Sequence, residues 1–193
     1  MNELGAESLS NLNCLVLLSG GIDSSACIDF YKRQKFKVSG LHINYGQSAS
    51  APESTASTAI AQYYNIPLKQ LIISGSRKKE ASEVLGRNAF FIFTALTELE
   101  INAGIIVLGI HSGTPYFDCS PIFISKIQEI IDGQLSGSIK ISTPFIKWSK
   151  QDIWYYCKKY HVPIELTYSC ERGGIQPCGT CMSCKDLEAL LAS

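Results

Sequence analysis

Two groups of residues in this 193-residue chain have types and spacings that could do chemistry. The first is Ser19-Gly20-Gly21-Ile22-Asp23-Ser24-Ser25, which follows the apolar run Cys14–Leu18 and precedes a segment, Ala26 to Lys32, that reads as a helix. Strand, glycine turn and helix is the arrangement that aims backbone N–H groups at a phosphate. Adjacent glycines let the main chain approach an anion with no Cβ in the way. Ser19, Ser24 and Ser25 add hydroxyl donors. The stretch is neither a Walker A loop nor a G-x-G-x-x-G turn, because the required lysine and glycine spacings are missing. The second group is Cys170, Cys178, Cys181 and Cys184, spaced C-x7-C-x2-C-x2-C. Two successive C-x-x-C steps let thiolates converge on a tetrahedral centre, with Cys170 as the fourth ligand. Four soft ligands leave no open position for water, so the expectation is a closed structural zinc site. An iron–sulfur cluster competes, since thiolates alone do not exclude iron, and a disulfide pair is a third reading. The other cysteines, Cys14, Cys27, Cys119 and Cys157, sit in apolar context and read as small buried hydrophobes. Of these, only Cys119 falls in a loop with functional character.

The elements that must position these groups alternate. Val38 to Asn44 reads as a second strand and ends in the turn Tyr45-Gly46-Gln47. Ala51 to Tyr64 reads as a helix, closed by Pro67, and Leu68 to Ile73 as a third strand. Ser74 to Arg87 is polar and carries Arg77-Lys78-Lys79; it reads as a mobile loop near the ligand, with the charge run as a solvated face. Gly86-Arg87-Asn88 opens a helix expected to run through Ala103. Its Phe90, Phe91, Ile92, Phe93, Leu96 and Leu99 predict burial on more than one side, in the core or at a dimer contact. Ile105 to Leu108 is a fourth strand. Behind it, Gly109 to Cys119 carries His111, Tyr116 and Asp118 at a strand's carboxyl end, where open parallel sheets bind ligands. Pro121 to Asp132 is a helix, Ile139 to Ser142 a fifth strand, and Ser149 the cap of a last long helix ending near Tyr160. The alternation predicts an α/β, doubly wound, mainly parallel five-stranded sheet with right-handed crossovers. Residues 1–165 would form the main domain and 166–193 a small cysteine-rich segment packed on it. His42 reads as a packing residue, His161 as chemically silent and His111 as a substrate contact.

Bulk composition narrows the classes. A hydrophobic content of 46% and a charged content of 18% describe a globular chain. Lys+Arg and Asp+Glu balance at 17 each, so no global field favours nucleic acid or an anionic membrane. Met1 to Asn13 lacks a signal-peptide pattern. No apolar run reaches the roughly 18 residues that span a bilayer. The expectation is a cytoplasmic protein with reduced thiols.

The Ser19–Ser24 stretch resembles the pyrophosphate-binding PP-loop, S-G-G-x-D-S, of the ATP pyrophosphatases. The order of further motifs resembles the QueC family, the 7-cyano-7-deazaguanine synthases, across nearly the whole chain. Tyr45-Gly46-Gln47 resembles its Y-G-Q turn and Gly86-Arg87-Asn88 its G-R-N motif. Asp118-Cys119 is similar to its D-C pair, Thr143-Pro144 with Lys150 to its T-P-L-x-W-L-x-K stretch, and the four terminal cysteines to its zinc ligands. The resemblance implies an adenine nucleotide alpha hydrolase-like, Rossmann-like fold that uses ATP, Mg²⁺ and Zn²⁺. Leu18, Ser19, Gly20, Gly21, Ile22, Asp23, Ser24, Ser25, Ala26, Cys27 and Ile28 would form the ATP segment. Asp23, Arg87 and Lys150 would be catalytic, and Tyr45, Gln47, Asn88, His111, Tyr116 and Asp118 would bind substrate.

The implied reaction adenylates the carboxylate of 7-carboxy-7-deazaguanine, and ammonia displaces AMP to give an amide. A second ATP then activates the amide, and loss of AMP leaves a nitrile. The family resemblance also implies a homodimer. Departures concentrate in the acceptor half: Ser48-Ala49 replace the usual Arg-His, the loop before Asp118 is altered, and Lys147-Trp148 stand where Trp-Leu is usual. They leave open a repurposed enzyme that stops at the amide or joins the acid to another amine, a protein acceptor included, since QueC-like relatives occur in deazaguanine-based modification and antiviral systems. A PP-loop tRNA thiolase and a non-catalytic nucleotide-binding subunit are the alternatives from other classes. Against the thiolase, no basic stripe is visible.

Overall fold

The computed structural model describes residues 12–74, 84–99 and 103–192. Five parallel strands, β1 (Asn13–Leu17), β2 (Lys37–Asn44), β3 (Leu68–Ile72), β4 (Gly104–Val107) and β5 (Ile139–Ser142), lie in the order β3-β2-β1-β4-β5. The helices are α1 (Ile22–Arg33), α2 (Ser50–Tyr64), α3 (Arg87–Glu98), α4 (Pro121–Leu135), α5 (Lys150–Tyr160) and α6 (Met182–Leu191). The strand order reverses direction at β1, so the crevice between the carboxyl ends of β1 and β4 is the switch point of the sheet.

Both faces of β1 are covered, which is why its sequence is a continuous apolar run. Cys14, Val16 and Leu18 point into one core with α1, α2 and α5; Leu15 and Leu17 point into the other with α3 and α4. The first core is filled by Phe145, fully buried, whose ring meets Phe30, Trp148 and Tyr156 at centroid distances of 5.6, 4.8 and 5.7 Å.

Several boundaries differ from the sequence reading, among them the start of α1, which lies at Ile22 rather than Ala26 so that Asp23 and Ser24 fall in its first turn. Helix α3 stops at Glu98, with Leu99 already extended (φ −72°, ψ 115°), rather than continuing to Ala103. Strand β4 begins at Gly104 and requires a connection. The same helix is buried on one face only, through Asn88, Ile92 and Ala95; Phe91, Phe93 and Leu96 flank it half-buried, and Phe90 faces outward. Helix α4 passes Asp132 to reach Leu135, because Gly133 sits on an open face; the helix ends only where Ser136 and Gly137 turn left-handed. The start of α5 matches its sequence signal: Ser149 Oγ accepts from the Asp152 N–H at 3.1 Å, and Asp152 Oδ2 accepts from the Ser149 N–H at 2.8 Å. The core of the charged stretch, Arg77-Lys78-Lys79, lies outside the described residues.

His42, on β2, is buried as expected of a packing residue. Its Nδ1 lies 3.0 Å from both the Leu18 carbonyl and the Ser57 hydroxyl, and its Nε2 is buried with no hydrogen-bond partner among the described residues, a setting that disfavours a charged ring. Burial pushes its pKa below the usual 6.5. The unfolded chain takes up a proton as pH falls through that value, and the folded chain resists it. The linked loss of stability is therefore absent above the unfolded pKa and accumulates as pH falls toward the folded one. Replacing His42→Gln is expected to flatten the decline of unfolding free energy as pH falls below about 6.5, measured by urea titration at several pH values. An unchanged decline would place the acid sensitivity elsewhere.

Candidate active site

The loop between β1 and α1 presents its donors to the switch-point crevice. Gly20 adopts φ +86°, and a Cβ there would come within 2.6 Å of the Glu53 carbonyl, so only glycine lets the loop lie this close to α2. Gly21 caps α1 in extended conformation without a side-chain bond to the first-turn amides. Those amides are the orphan donors of a helix N-terminus. Ser19 Oγ and Ser24 Oγ stand 3.1 Å apart, and Ser24 Oγ also donates to the Gly21 carbonyl at 3.0 Å. The next residues of the stretch, Ser25, Ala26, Cys27 and Ile28, are fully buried on the core side of α1 and do not line the crevice.

Lys150, the first residue of α5, reaches across to the first turn of α1. Its Nζ lies 2.7 and 2.6 Å from the two carboxylate oxygens of Asp23. Both side chains are mostly shielded, at 26% and 20% exposure. Asp23 is therefore held by a cation from the far end of the fold rather than capping its helix. His111 follows β4 and faces the same pair, with Asp186 of α6 also within electrostatic reach. Burial pushes the His111 pKa below 6.5, and its Nδ1 accepts the Gly113 N–H at 3.1 Å. The ring is thus neutral, with its proton on Nε2, and offers a donor rather than a base.

The opposite wall is built by the Tyr45-Gly46-Gln47 turn, α2 and the start of α3. Gln47 Oε1 accepts the Tyr45 N–H at 2.9 Å, and Gln47 Nε2 donates to Glu53 Oε2 at 2.7 Å. Burial raises the pKa of Glu53, opposed by the Gln47 hydrogen bond and the nearby Arg87 charge. Burial likewise raises Tyr45, opposed by the same guanidinium. Arg87 also lies over the Phe91 ring at 6.0 Å. Deeper in, Asn88 is buried and fixes the Asp118-Cys119 pair. Its N–H donates to Asp118 Oδ2 at 3.1 Å, and its Nδ2 donates to the Asp118 carbonyl at 2.9 Å and to Cys119 Sγ at 3.4 Å. Burial, then the Asp118 charge, push the Cys119 thiol up to about 11, which leaves no thiolate for attack.

The four C-terminal cysteine sulfurs lie within 4.8 Å of one another, with Cys178 and Cys184 at 3.9 Å. A single ion bound at about 2.3 Å in a tetrahedron separates its sulfurs by about 3.8 Å. A cubane cluster places each thiolate on a different iron, and hence farther apart. The donor set and spacing thus fit one metal ion such as zinc. Hydrogen bonds from Thr180 and from the Thr180 and Cys181 amides pull the Cys178 thiol down to about 5, toward the thiolate that a metal needs. This segment docks on the Ser19–Ser24 loop: the Tyr168 N–H donates to the Gly20 carbonyl at 2.9 Å. Gly173, at φ +72°, sits so close to Ser48 and Ala49 that a Cβ would overlap the Ser48 carbonyl.

These walls enclose a cavity of about 590 Å³. Of the sequence-predicted residues, Leu18, Ser19, Gly21, Ile22, Asp23, Ser24, Tyr45, Gln47, Arg87, Asn88, His111, Tyr116, Asp118 and Lys150 all line it. Gly20 shapes the loop from behind. Sequence reasoning missed Glu53, Tyr168, Glu171 and Asp186, which also line the cavity. Glu53 carried only the weak signal of an acid in a helix's first turn. The other three sit in the tail, where the cysteines drew attention to metal binding alone.

A family profile described as queuosine biosynthesis protein QueC matches residues 13–85 and 74–189. The 7-cyano-7-deazaguanine synthase of Prochlorococcus marinus (strain MIT 9515) is 34% identical over 92% of each chain. The synthase of Desulfitobacterium hafniense (strain DSM 10664 / DCB-2) is 33% identical over 88% of this chain and 84% of its own. Two solved structures share the fold. One is the U34-tRNA thiolase NcsA of Methanococcus maripaludis, with its [4Fe-4S] cluster (TM-score 0.55, 13% identity, 98% of this chain and 67% of that one). The other is the NMN synthetase of Francisella tularensis (TM-score 0.54, 14% identity, 87% and 70%).

Metal analysis of the purified chain is expected to give about one zinc per polypeptide, because four convergent thiolates close a single tetrahedral site. Cys181→Ser should lower that content and also weaken nucleotide binding, since the tail rests on Gly20 and Ser48. An absorption band near 400 nm with stoichiometric iron would overturn the single-ion fit.

Proposed function

From the premise that this chain belongs to the QueC family, we propose that it is an ATP-dependent ligase. In this reading it adenylates the carboxylate of 7-carboxy-7-deazaguanine and aminates it toward 7-cyano-7-deazaguanine, releasing AMP and pyrophosphate. The observation that carries the reading is the Asp23–Lys150 pair at the mouth of the Ser19–Ser24 loop, inside a cavity that also holds Arg87.

The first-turn amides of α1, with the Ser19 and Ser24 hydroxyls, bind the departing pyrophosphate. Lys150, fixed by both Asp23 oxygens, brings its charge to the phosphates as negative charge builds on the leaving group. Arg87 meets the α-phosphate or the substrate carboxylate from the other wall. His111, neutral, adds a donor that does not titrate near neutral pH. Asp23 faces the cavity and is the residue that would share a Mg²⁺ with phosphate oxygens, as one carboxylate per ion is common for this metal. When bound, that ion supplies charge neutralisation. The metal held by the four cysteines is structural, because no coordination position is left for a reactant.

One observation favours a second reading for the amination step. Where the family carries Arg-His, this chain carries Ser48-Ala49, and Gly173 packs against that main chain. Two long basic side chains are thus removed from the rim of the cavity, which Ser48 and Ala49 line. A rim so altered would suit an enzyme that stops at the amide or admits an amine larger than ammonia.

Mass spectrometry of a reaction with Mg-ATP, 7-carboxy-7-deazaguanine and ammonium is the test. AMP, pyrophosphate and the nitrile are expected, with Asp23→Ala and Lys150→Met each reducing AMP formation roughly hundredfold or more. An amide end product would select the second reading. No ATP cleavage would leave a nucleotide-binding subunit.

A further inference from the structure

Asp118 is a carboxylate at a cavity wall with no charge partner among the described residues. Its setting is unusually fixed. The buried Asn88 uses its backbone N–H on Asp118 Oδ2 and its side-chain amide on the Asp118 carbonyl. The Phe117–Cys119 turn is anchored in its own right, since the Cys119 N–H donates to the Tyr116 carbonyl at 3.0 Å. Among the described residues, Oδ1 meets only the Cys119 thiol, a weak donor, at 3.8 Å. That pairing is a poor match for a shielded anion, which favours two or three good donors. Two aromatic rings suited to stacking on a planar heterocycle, Tyr116 and Phe91, line the same cavity.

Glu53, the other shielded carboxylate, is already engaged. Gln47 donates to its Oε2, and the Arg87 charge falls on it. Asp186 is exposed, and Glu171 Oε1 accepts both the Ser183 N–H and its hydroxyl. Among the carboxylates lining the cavity, Asp118 therefore has the most unfilled acceptor capacity in a rigid setting.

We propose that Asp118, held by Asn88, reads the N1–H and exocyclic 2-amino group of the deazaguanine ring and so selects a guanine-type acid over one lacking that amino group. This rests on the ligase reading above. A carboxylate offers two parallel acceptors to two parallel donors, a charge-assisted bidentate pair. A site built around a polar group rejects the analogue that leaves its acceptor unpaired.

The experiment is ATP–pyrophosphate exchange with 7-carboxy-7-deazaguanine and with its 2-deamino analogue, in the wild type and in Asp118→Asn. The wild type is expected to favour the 2-amino acid in kcat/KM by roughly tenfold to hundredfold, the range of one hydrogen bond to a charged group. Asp118→Asn, which turns an acceptor into a donor, should erase that preference while leaving the KM for ATP unchanged. A wild type indifferent to the 2-amino group overturns the assignment whatever the variant does. A variant that keeps the preference overturns it while the ligase reading stands. If the variant turns over neither acid, Asp118→Glu should restore the preference, and failure to restore it overturns the assignment. Exchange with neither acid in the wild type removes the deazaguanine reading itself, and the role of Asp118 with it.

Discussion

The structure depends on main chain approaching main chain around one loop. The Ser19–Ser24 turn has Glu53 of α2 behind it at Gly20 and Tyr168 of the cysteine-rich tail bonded to it at the Gly20 carbonyl. The tail in turn lies on Ser48 and Ala49 through Gly173. Three parts of the chain, separated by more than a hundred residues between loop and tail, are thus locked by contacts that tolerate no side chain at two glycines. A loop that must offer bare amides to an anion cannot rely on its own side chains for rigidity. It takes rigidity from neighbours packed against its back, and the cysteine-rich tail is one of them. The four cysteines that could hold a metal thus belong to a segment adjacent to the loop.

The same crowding creates two electrostatic poles in one cavity. At the loop end, Asp23 and Lys150 neutralise each other, and His111 stays uncharged, so what remains toward a phosphate is a field of oriented donors. At the other end, Asp118 stands without a charge partner among the described residues, while Arg87 lies between Tyr45, Glu53 and Phe91. An anionic reactant fits the first pole, and a ring with donor edges fits the second. Under the ligase reading proposed above, a molecule with a carboxylate on one side and N–H groups on the other would lie with its carboxylate toward the loop end.

Much of this was legible in the sequence because the determinants are local. Glycine pairs, capping residues and C-x-x-C steps act through a few bonds, so Ser149 and the four cysteines announce their roles within a handful of positions. The parallel sheet followed from the alternation of strands and helices and the handedness of crossovers, whereas its order, β3-β2-β1-β4-β5, rests on pairings between distant strands. What was not legible depends on distance. Nothing near Glu53 shows that Gln47 and Arg87 converge on it, and nothing in the tail shows that Tyr168 and Asp186 face the nucleotide loop. The overlong reading of α3 failed for a related reason: its apolar residues suggested continuity, but Gly104 is needed to begin β4, and a strand start outweighs helical propensity.

The Asp23–Lys150 contact sets two helix N-termini against each other across the crevice. It joins residues 127 positions apart, the first turn of α1 and the first residue of α5. Each residue sits at a helix N-terminus, where the dipole favours an anion and disfavours a cation. Asp23 is thus well placed, and Lys150 is poorly placed on its own helix. Lys150 is held there because its ammonium meets the carboxylate of another helix. A cation stationed against its own helix dipole is stabilised here by a partner across the crevice, and under the ligase reading proposed above it would share that interaction with a phosphate. That makes the mismatch at the start of α5 a property of the site rather than a defect of the fold.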